Sequence, residues 1–328
     1  MSEPGQRSLA DTPAGLAADP TIAPLLARCT FPPAATDLVC AVSGGPDSLA
    51  LLVLAVAAGC VVTAVHVDHG LRPGSAAEAT VVADAARRFG ASFRSERVVL
   101  GDGPNLEARA RQARRIVIGA DAATGHTTDD QAETVLANLM RGAGVHGLAA
   151  MRAGTTHPML GLRRTETASV CTRVGLDPVR DPSNHDPRFV RNRVRHELLP
   201  LLASIAGRDL VPVLGRQARL LAGDADLLDA IGALIDPCDA AALATAPPAA
   251  ARRSIRAWLT GSGIYPPSGD AVERVLEVAR LERRATEVGE GRRVARSGGR
   301  LRIEEPVAVP EPGGDHARVQ SRRAQRDP

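Results

Sequence analysis

Leu38-Val39-Cys40-Ala41-Val42-Ser43-Gly44-Gly45-Pro46-Asp47-Ser48 is the stretch that decides the fold. A Val-rich apolar run stops at Ser43, and a second apolar run, residues 49–58, begins directly after Ser48. That order is strand, tight loop, helix. Gly44 and Gly45 carry no Cβ, so the backbone can turn sharply and approach an anion closely. The helix that follows brings unpaired N–H groups and a positive dipole end to the same place. Pro46 suits the first helical turn, where its missing N–H costs nothing. A lone Gly-Gly reads as an ordinary turn. Ser43, Gly44, Gly45, Pro46, Asp47 and Ser48 together, in strand–loop–helix context, read as a pyrophosphate cradle. The Gly-Lys-Ser/Thr ending of a Walker A loop is absent.

Outward from the loop, strands and helices alternate. Strands are expected over 38–42, 60–67 and 92–100 and within 116–123; helices over 49–58, 75–89, 105–115 and 128–140. Val61, Val62, Val65 and Val67 form the nearly continuous apolar run of a strand covered on both faces. The alternation predicts an α/β fold, a parallel sheet with helices on both sides, with ligands beyond the strands' carboxyl ends. After about residue 200 the pattern turns helical (201–234, 251–260, 270–281) and closes with a small hairpin around Gly298-Gly299. The expected domains are a loosely attached extension at 1–36 with one short helix near 22–27, a nucleotide domain at 37–200, and a smaller, mainly helical domain at 201–305. A tail at 306–328, rich in Pro, Gly and charge, is expected to be disordered.

Composition narrows the function classes. The 328 residues can hold two domains. No stretch approaches the roughly 18 apolar residues of a membrane span, and the start does not read as a secretory signal. The five cysteines are scattered, with no Cys-x-x-Cys, which argues against a zinc ribbon, an iron–sulfur site or a disulfide scaffold. A reducing cytoplasm fits. Aromatics are 2% of the chain, too few for a base-stacking platform. Net charge is +3, and all 40 Lys-plus-Arg residues are arginine. A GC-rich coding sequence accounts for that bias, but it leaves no lysine side chain to act as nucleophile or phosphate ligand. Arginine's planar fork does suit phosphate.

Four further segments carry candidate chemistry. His66-Val67-Asp68-His69 ends the second strand. His66 and Asp68 read as a polar rim to a nucleotide pocket, since His66 and His69 sit on opposite faces, a poor chelate. In Asn105-Leu106-Glu107-Ala108-Arg109-Ala110-Arg111, Glu107 and Arg111 are spaced as a helical ion pair; equally, Arg109 or Arg111 could meet a phosphate. In Gly125-His126-Thr127-Thr128-Asp129-Asp130-Gln131-Ala132-Glu133-Thr134, Thr128 and Gln131 read as a capping box. Capping needs only one acid, so Asp129, Asp130 and Glu133 on one wall suit a magnesium ion or a ligand's ammonium group. Finally, Arg188, Arg191 and Arg195 recur at 3–4 spacing with Arg193 beside them. Either they form a solvated basic face or they grip a polyanion, RNA phosphate or pyrophosphate.

Ser-Gly-Gly-x-Asp-Ser resembles the signature of the PP-loop ATP pyrophosphatases, and the blocks in their order resemble one branch, the tRNA(Ile)-lysidine synthetases. The resemblance is dense over 38–200, above all in Asp-Pro-Ser-Asn through Arg-Asn-Arg-Val-Arg. It implies a Rossmann-like, adenine nucleotide alpha-hydrolase-like domain followed by a helical tRNA-binding domain. It also implies ATP and Mg²⁺ as cofactors, with free L-lysine and tRNA(Ile) of CAU anticodon as substrates. ATP would adenylate the wobble cytidine's C2 oxygen and lysine would displace AMP, leaving lysidine. On this resemblance residues 43–48 hold the pyrophosphate and Asp47 the magnesium. His66, Asp68, Gly125 and His126 surround the nucleotide. Asp130 and Glu133 take the lysine ammonium, with Arg109 among the catalytic residues. Arg111, Arg188, Arg191, Arg193 and Arg195 hold RNA or phosphate. The enzyme would be cytoplasmic, with no membrane partner, and a homodimer is compatible with it. Three departures stand out. The segment between Arg115 and Gly125 is several residues short and has Arg115 where a Tyr is usual. His157-Pro158-Met159-Leu160 replaces a frequent Arg-Pro-Leu-Leu. The larger C-terminal domain of some members is missing. Two other readings stay open: another PP-loop tRNA modifier such as a thiolase, or an inactive tRNA- or nucleotide-binding homologue.

Overall fold

In a computed structural model describing residues 9–68, 75–98, 116–179, 181 and 186–305, the first sheet comprises β1 (Asp37–Ala41), β2 (Val61–Asp68), β3 (Ser92–Arg97) and β4 (Ala123–Thr124). All pairings are parallel and the order is β3-β2-β1-β4. The apolar strands β1 and β2 lie inside, with Cys40 opposite both Ala64 and Ala123. The largely exposed, charge-bearing β3 takes the edge, where Arg94, Glu96 and Arg97 deter a stray strand. Strand order reverses at β1, which puts a ligand crevice at its carboxyl end.

Helix α3 (Pro46–Ala57), preceded by α1 (Pro13–Ala18) and α2 (Ala23–Leu26), is buried at every position from Ser48 to Ala57. A helix enclosed on all sides is apolar all round, which is why its sequence reads as an unbroken run. Leu49, Leu51, Leu52 and Leu54 join Leu38, Val62 and Phe89, the last from α4 (Ser75–Phe89), in one core.

Two expectations are corrected here. Residues 9–36 are not loosely attached. Leu16 and Ile22 are fully buried in the α3 core and Leu25 nearly so. Asp11 takes both arms of Arg88, Asp19 accepts from Arg173 at 2.8 Å, and the Thr30 N–H donates to the Pro158 carbonyl at 2.9 Å. Three isolated apolar residues give no periodicity, yet each fills a socket. The expected fourth strand within 116–123 is mostly something else: residues 116–118 form a helical turn, Gly119 swings the chain at φ +98°, and only Ala123–Thr124 pairs with β1.

The first unit continues through α5 (Thr128–Met140), α6 (Val145–Leu148), α7 (Arg164–Arg173) and α8 (Val190–Arg193), then a π-helical turn (Val194–Leu198) into α9 (Leu199–Ala206). Gly207, left-handed at φ +64°, ends α9, so the expected helix 201–234 is two. Its second part is α10 (Val211–Ala233), and the first compact unit ends within it at Ala225. The second unit, from Asp226, holds α11 (Ala240–Thr245), α12 (Pro248–Gly261) and α13 (Gly269–Ala279), then an antiparallel sheet of β5 (Ala285–Gly289), β6 (Arg292–Ser297) and β7 (Arg300–Glu304). Leu243, Ile255, Leu259, Val275, Val294 and Leu301 form its core. The expected hairpin is β6–β7; α11 and β5 are additions. Among the described residues no single helix is long and apolar enough to cross a membrane.

Candidate active site

The loop after β1 holds its shape through its own side chains. Gly44 sits at φ +87°, a left-handed position that favours glycine. Ser48 donates to the Gly45 carbonyl at 2.9 Å and accepts the Ser43 N–H at 3.1 Å. Gly45 caps α3 and Pro46 opens it, so the helix N-terminus faces the loop's concave side. The turn after β4 packs directly on this loop: a Cβ on Gly125 would lie 2.7 Å from the Asp47 carbonyl oxygen. A cavity of about 440 Å³ opens there, at the carboxyl ends of β1, β2 and β4. Ser43, Gly45, Pro46, Asp47 and Ser48 line one side; Val42, Val65, Val67 and Ile118 make an apolar part; Thr124, Gly125, His126, Asp130, Arg164, Arg195 and His196 complete it.

Helix α5 begins one residue earlier than its sequence suggests. Its N-cap is Thr127, and the capping box pairs Thr127 with Asp130, whose Oδ2 accepts from the Thr127 N–H at 2.8 Å and hydroxyl at 2.9 Å. Of two adjacent threonines, Thr128 is engaged elsewhere, donating its hydroxyl to the Leu160 carbonyl. Gln131 is engaged by the backbone of Ala149 and Met151. The acids also divide differently. Asp129 turns to Arg163, at 3.0 and 3.1 Å, and to the Arg164 N–H. Asp47 instead joins Asp130 and Glu133.

These three carboxylates meet three arginines. The Arg164 Nη2 donates to Asp130 Oδ1 at 3.0 Å and to Glu133 Oε1 at 3.2 Å, with its Nε 3.5 Å from Asp47 Oδ2. Arg191 donates to Glu133 Oε2 at 2.8 Å and Asp130 Oδ1 at 3.0 Å. Arg195 reaches Glu133 Oε1 at 2.7 Å and Oε2 at 3.2 Å. Glu133 is 0% exposed, a burial that only full pairing makes tolerable. Burial raises the Asp47 carboxyl above its usual range, helped by the Asp130 charge and opposed by the Thr167 hydroxyl, which donates to it, and by Arg164. For Asp130 burial also pushes upward, but Arg164, Arg191 and the Thr127 N–H outweigh it and hold the group low.

The other expected site residues scatter. Arg188, 84% exposed, pairs with Asp186, and Arg193, 61% exposed, with Glu197. His66 is 2% exposed on the face of β2 opposite Val65 and Val67; its Nδ1 donates to the Val42 carbonyl at 3.0 Å, and among the described residues Nε2 meets no partner. It braces the end of β1 and, like the half-buried Asp68, does not line the cavity. The His126 and His157 Nδ1 atoms each lie 2.8 Å from Thr124 Oγ1. Arg109, Arg111 and the helix expected at 105–115 lie outside the described residues. Sequence reasoning missed Arg164, Thr167 and His157 as partners in the site. One signal pointed to Arg164: paired arginines oppose the dipole at a helix start, so Arg163-Arg164 opening α7 demand anionic partners.

Comparison with known proteins agrees with this layout. A family model for the PP-loop domain matches residues 20–202, and one for the TilS substrate binding domain matches 239–302. A tRNA(Ile)-lysidine synthase of Nocardia farcinica is 44% identical over 256 residues, covering 73% of this chain and 80% of the relative. Those of Rhodococcus erythropolis (43%, covering 69% of this chain and 74% of the relative) and Mycobacterium tuberculosis (41%, 67% and 74%) are similar too. Among solved structures, the U34-tRNA thiolase NcsA of Methanococcus maripaludis shares the fold, with a TM-score of 0.51 and 17% identity over 62% of this chain and 80% of that one. A phosphate loop after β1, a PP-loop match over more than half the chain and these relatives lead to one conclusion: the chain belongs to the tRNA(Ile)-lysidine synthase family.

Proposed function

We propose that this enzyme ligates free L-lysine to C2 of the wobble cytidine of tRNA(Ile) with a CAU anticodon, consuming ATP through an adenylated tRNA. The supporting observation is that Asp130 lines one cavity with the phosphate loop, while the buried Glu133 shares Arg164, Arg191 and Arg195 with Asp130. The C2 oxygen attacks the α-phosphorus and its bond to pyrophosphate breaks. The lysine ε-amine then attacks C2, and AMP departs with that oxygen. Backbone N–H groups of the loop and the α3 N-terminus offset phosphate charge, with Arg164 and Arg195 beside them. Val65, Val67 and Ile118 offer the base an apolar seat. Among the described residues no group of three His, Cys, Asp or Glu side chains is placed to hold a metal ion by itself. A magnesium ion would therefore rest on Asp47 and phosphate oxygens, as this ion usually does, and would neutralise the departing pyrophosphate.

Asp130 and Glu133 bind the lysine ammonium, whose proton must leave before attack. The exposed Arg188 and Arg193 meet RNA phosphates. The same reading puts the enzyme in the cytoplasm, without a membrane partner, and light scattering tests whether it is a homodimer. A thiolase reading is less well supported: sulfur chemistry needs a thiolate, and burial pushes the Cys29 and Cys171 thiols up to about 12. The test is incubation with ATP, magnesium, labelled lysine and a tRNA(Ile) transcript bearing CAU. Label should enter the RNA, and Asp47→Ala should abolish it. No incorporation with tRNA still bound would replace this reading with an inactive binder.

A further inference from the structure

Glu133 has no acceptor position to spare. Oε1 takes Arg195 Nε and Arg164 Nη2, while Oε2 takes Arg191 Nε and Arg195 Nη2. A carboxylate offers about four acceptor sites, so a lysine ammonium finds none while three guanidinium groups stay in place. Asp130 is as occupied: Oδ2 serves the α5 cap, and Oδ1 serves Arg164 and Arg191. Three carboxylates face three arginines, so the cluster is neutral and has no call for a further cation.

The arginines are not equivalent. Arg191 does not line the cavity, whereas Arg164 and Arg195 do, beside the phosphate loop. Arg195 grips Glu133 with two nitrogens. Arg164 holds more loosely, one nitrogen divided between Asp130 and Glu133 and another 3.5 Å from Asp47. A guanidinium pairs with phosphate as well as with carboxylate. We infer that Arg164 is a positioning residue that couples the two small substrates. It pairs with Asp130, which lines the cavity, and with Glu133, which is buried away from it, and it releases both to the lysine ammonium when the phosphates of ATP take up its guanidinium. The inference rests on the reading of Asp130 and Glu133 as the lysine site. Transfer of one guanidinium leaves the cluster with one uncompensated negative charge, poorly tolerated where water is scarce, and one ammonium restores the balance. Lysine therefore binds after ATP.

The test is equilibrium dialysis of the full chain against labelled lysine, with and without magnesium and a non-hydrolysable ATP analogue, whose saturation is confirmed by its own titration. The wild type should bind lysine at least tenfold more tightly with the analogue. Arg164→Met should bind lysine with nearly the same affinity in both conditions, and more tightly than the wild type does without analogue. Arg164→Lys, which keeps the charge but loses the fork, should narrow the tenfold difference, and it carries the test should Arg164→Met not fold. Equal lysine affinity in the two conditions for the wild type, the full difference surviving in the variants, or no lysine bound in either condition would each overturn the coupling. Label transfer to tRNA separates the causes. If transfer is intact, only the coupling falls; if transfer fails as well, the lysidine reading falls with it.

Discussion

The ion pairs beneath the phosphate loop and those of the second unit use the same residue types in opposite settings. Below the loop, Glu133 is wholly buried among arginines that are 23–29% exposed. In the second unit, Arg252–Glu273 (48% and 46% exposed) and Arg293–Glu304 (57% and 46%) stand in solvent. Water screens the second kind to roughly 0–1 kcal/mol. The first kind is costly to break, because a charge left behind has no solvent to turn to. A single segment contains both kinds: Arg191 and Arg195 reach inward, Arg188 and Arg193 outward. An arginine's role is set by where it stands, in the turn before α8 for Arg188 and on one side of the helix or the other for the rest, not by its density in the chain.

The largest expected effect tests the buried side. Glu133→Gln keeps the shape and removes the charge three guanidinium groups depend on, so urea denaturation should show a loss of about 3–5 kcal/mol. A loss under 1 kcal/mol would erase the distinction between the two regions. In whatever fraction folds, the lysine KM should rise far more than the ATP KM; equal rises would remove Glu133 from the lysine site.

Glycine substitutions sharpen the contrast. Gly125→Ala drives a methyl against the Asp47 backbone, which should cost about 1–3 kcal/mol and weaken binding of an ATP analogue at least tenfold. Gly269→Ala, at the start of α13 with nothing within 4 Å of the new methyl, should be neutral or stabilise by up to about 1 kcal/mol. Paired thermal melts read both.

Acidity should also affect the two settings differently. Burial lowers the His157 pKa below its usual 6.5. The unfolded chain therefore binds this proton more readily, and the associated stability is present above pH 6.5 and lost as pH falls through the folded value. Melting temperatures of the wild type should fall from pH 7 toward pH 5, and His157→Gln should fall less; parallel slopes would dismiss the histidine. The smallest effect belongs to Arg293→Ala, for which denaturation should find less than about 1 kcal/mol.

What the sequence showed depended on how local the causes were. The loop was legible because Ser43, Gly45 and Ser48 act on one another within six positions. The start of α5 was displaced by one residue because a distant carbonyl, that of Leu160, claims Thr128. Thr167 on Asp47 and Arg164 on Glu133 bridge α7 to segments far back in the chain, and no spacing rule connects them. Spacing put Arg188, Arg191 and Arg195 on one helical face, but Arg188 stands in the turn before α8 and pairs with Asp186, and spacing could not say whether the face of the other two met RNA or Glu133. The first residues looked unattached because burial there rests on Leu16, Ile22 and Leu25 singly rather than on a pattern.

That early segment sets a demand on synthesis. Leu16, Ile22 and Leu25 share their core with Met159, Leu162, Val170 and Cys171, and the ribosome makes these partners long afterwards. At about 5–20 residues per second, α3 is made within a few seconds of these side chains, but the partners at 159–171 follow only after on the order of ten seconds. Throughout that interval their cover is incomplete, so an early part of the domain is among the last to be fully secured.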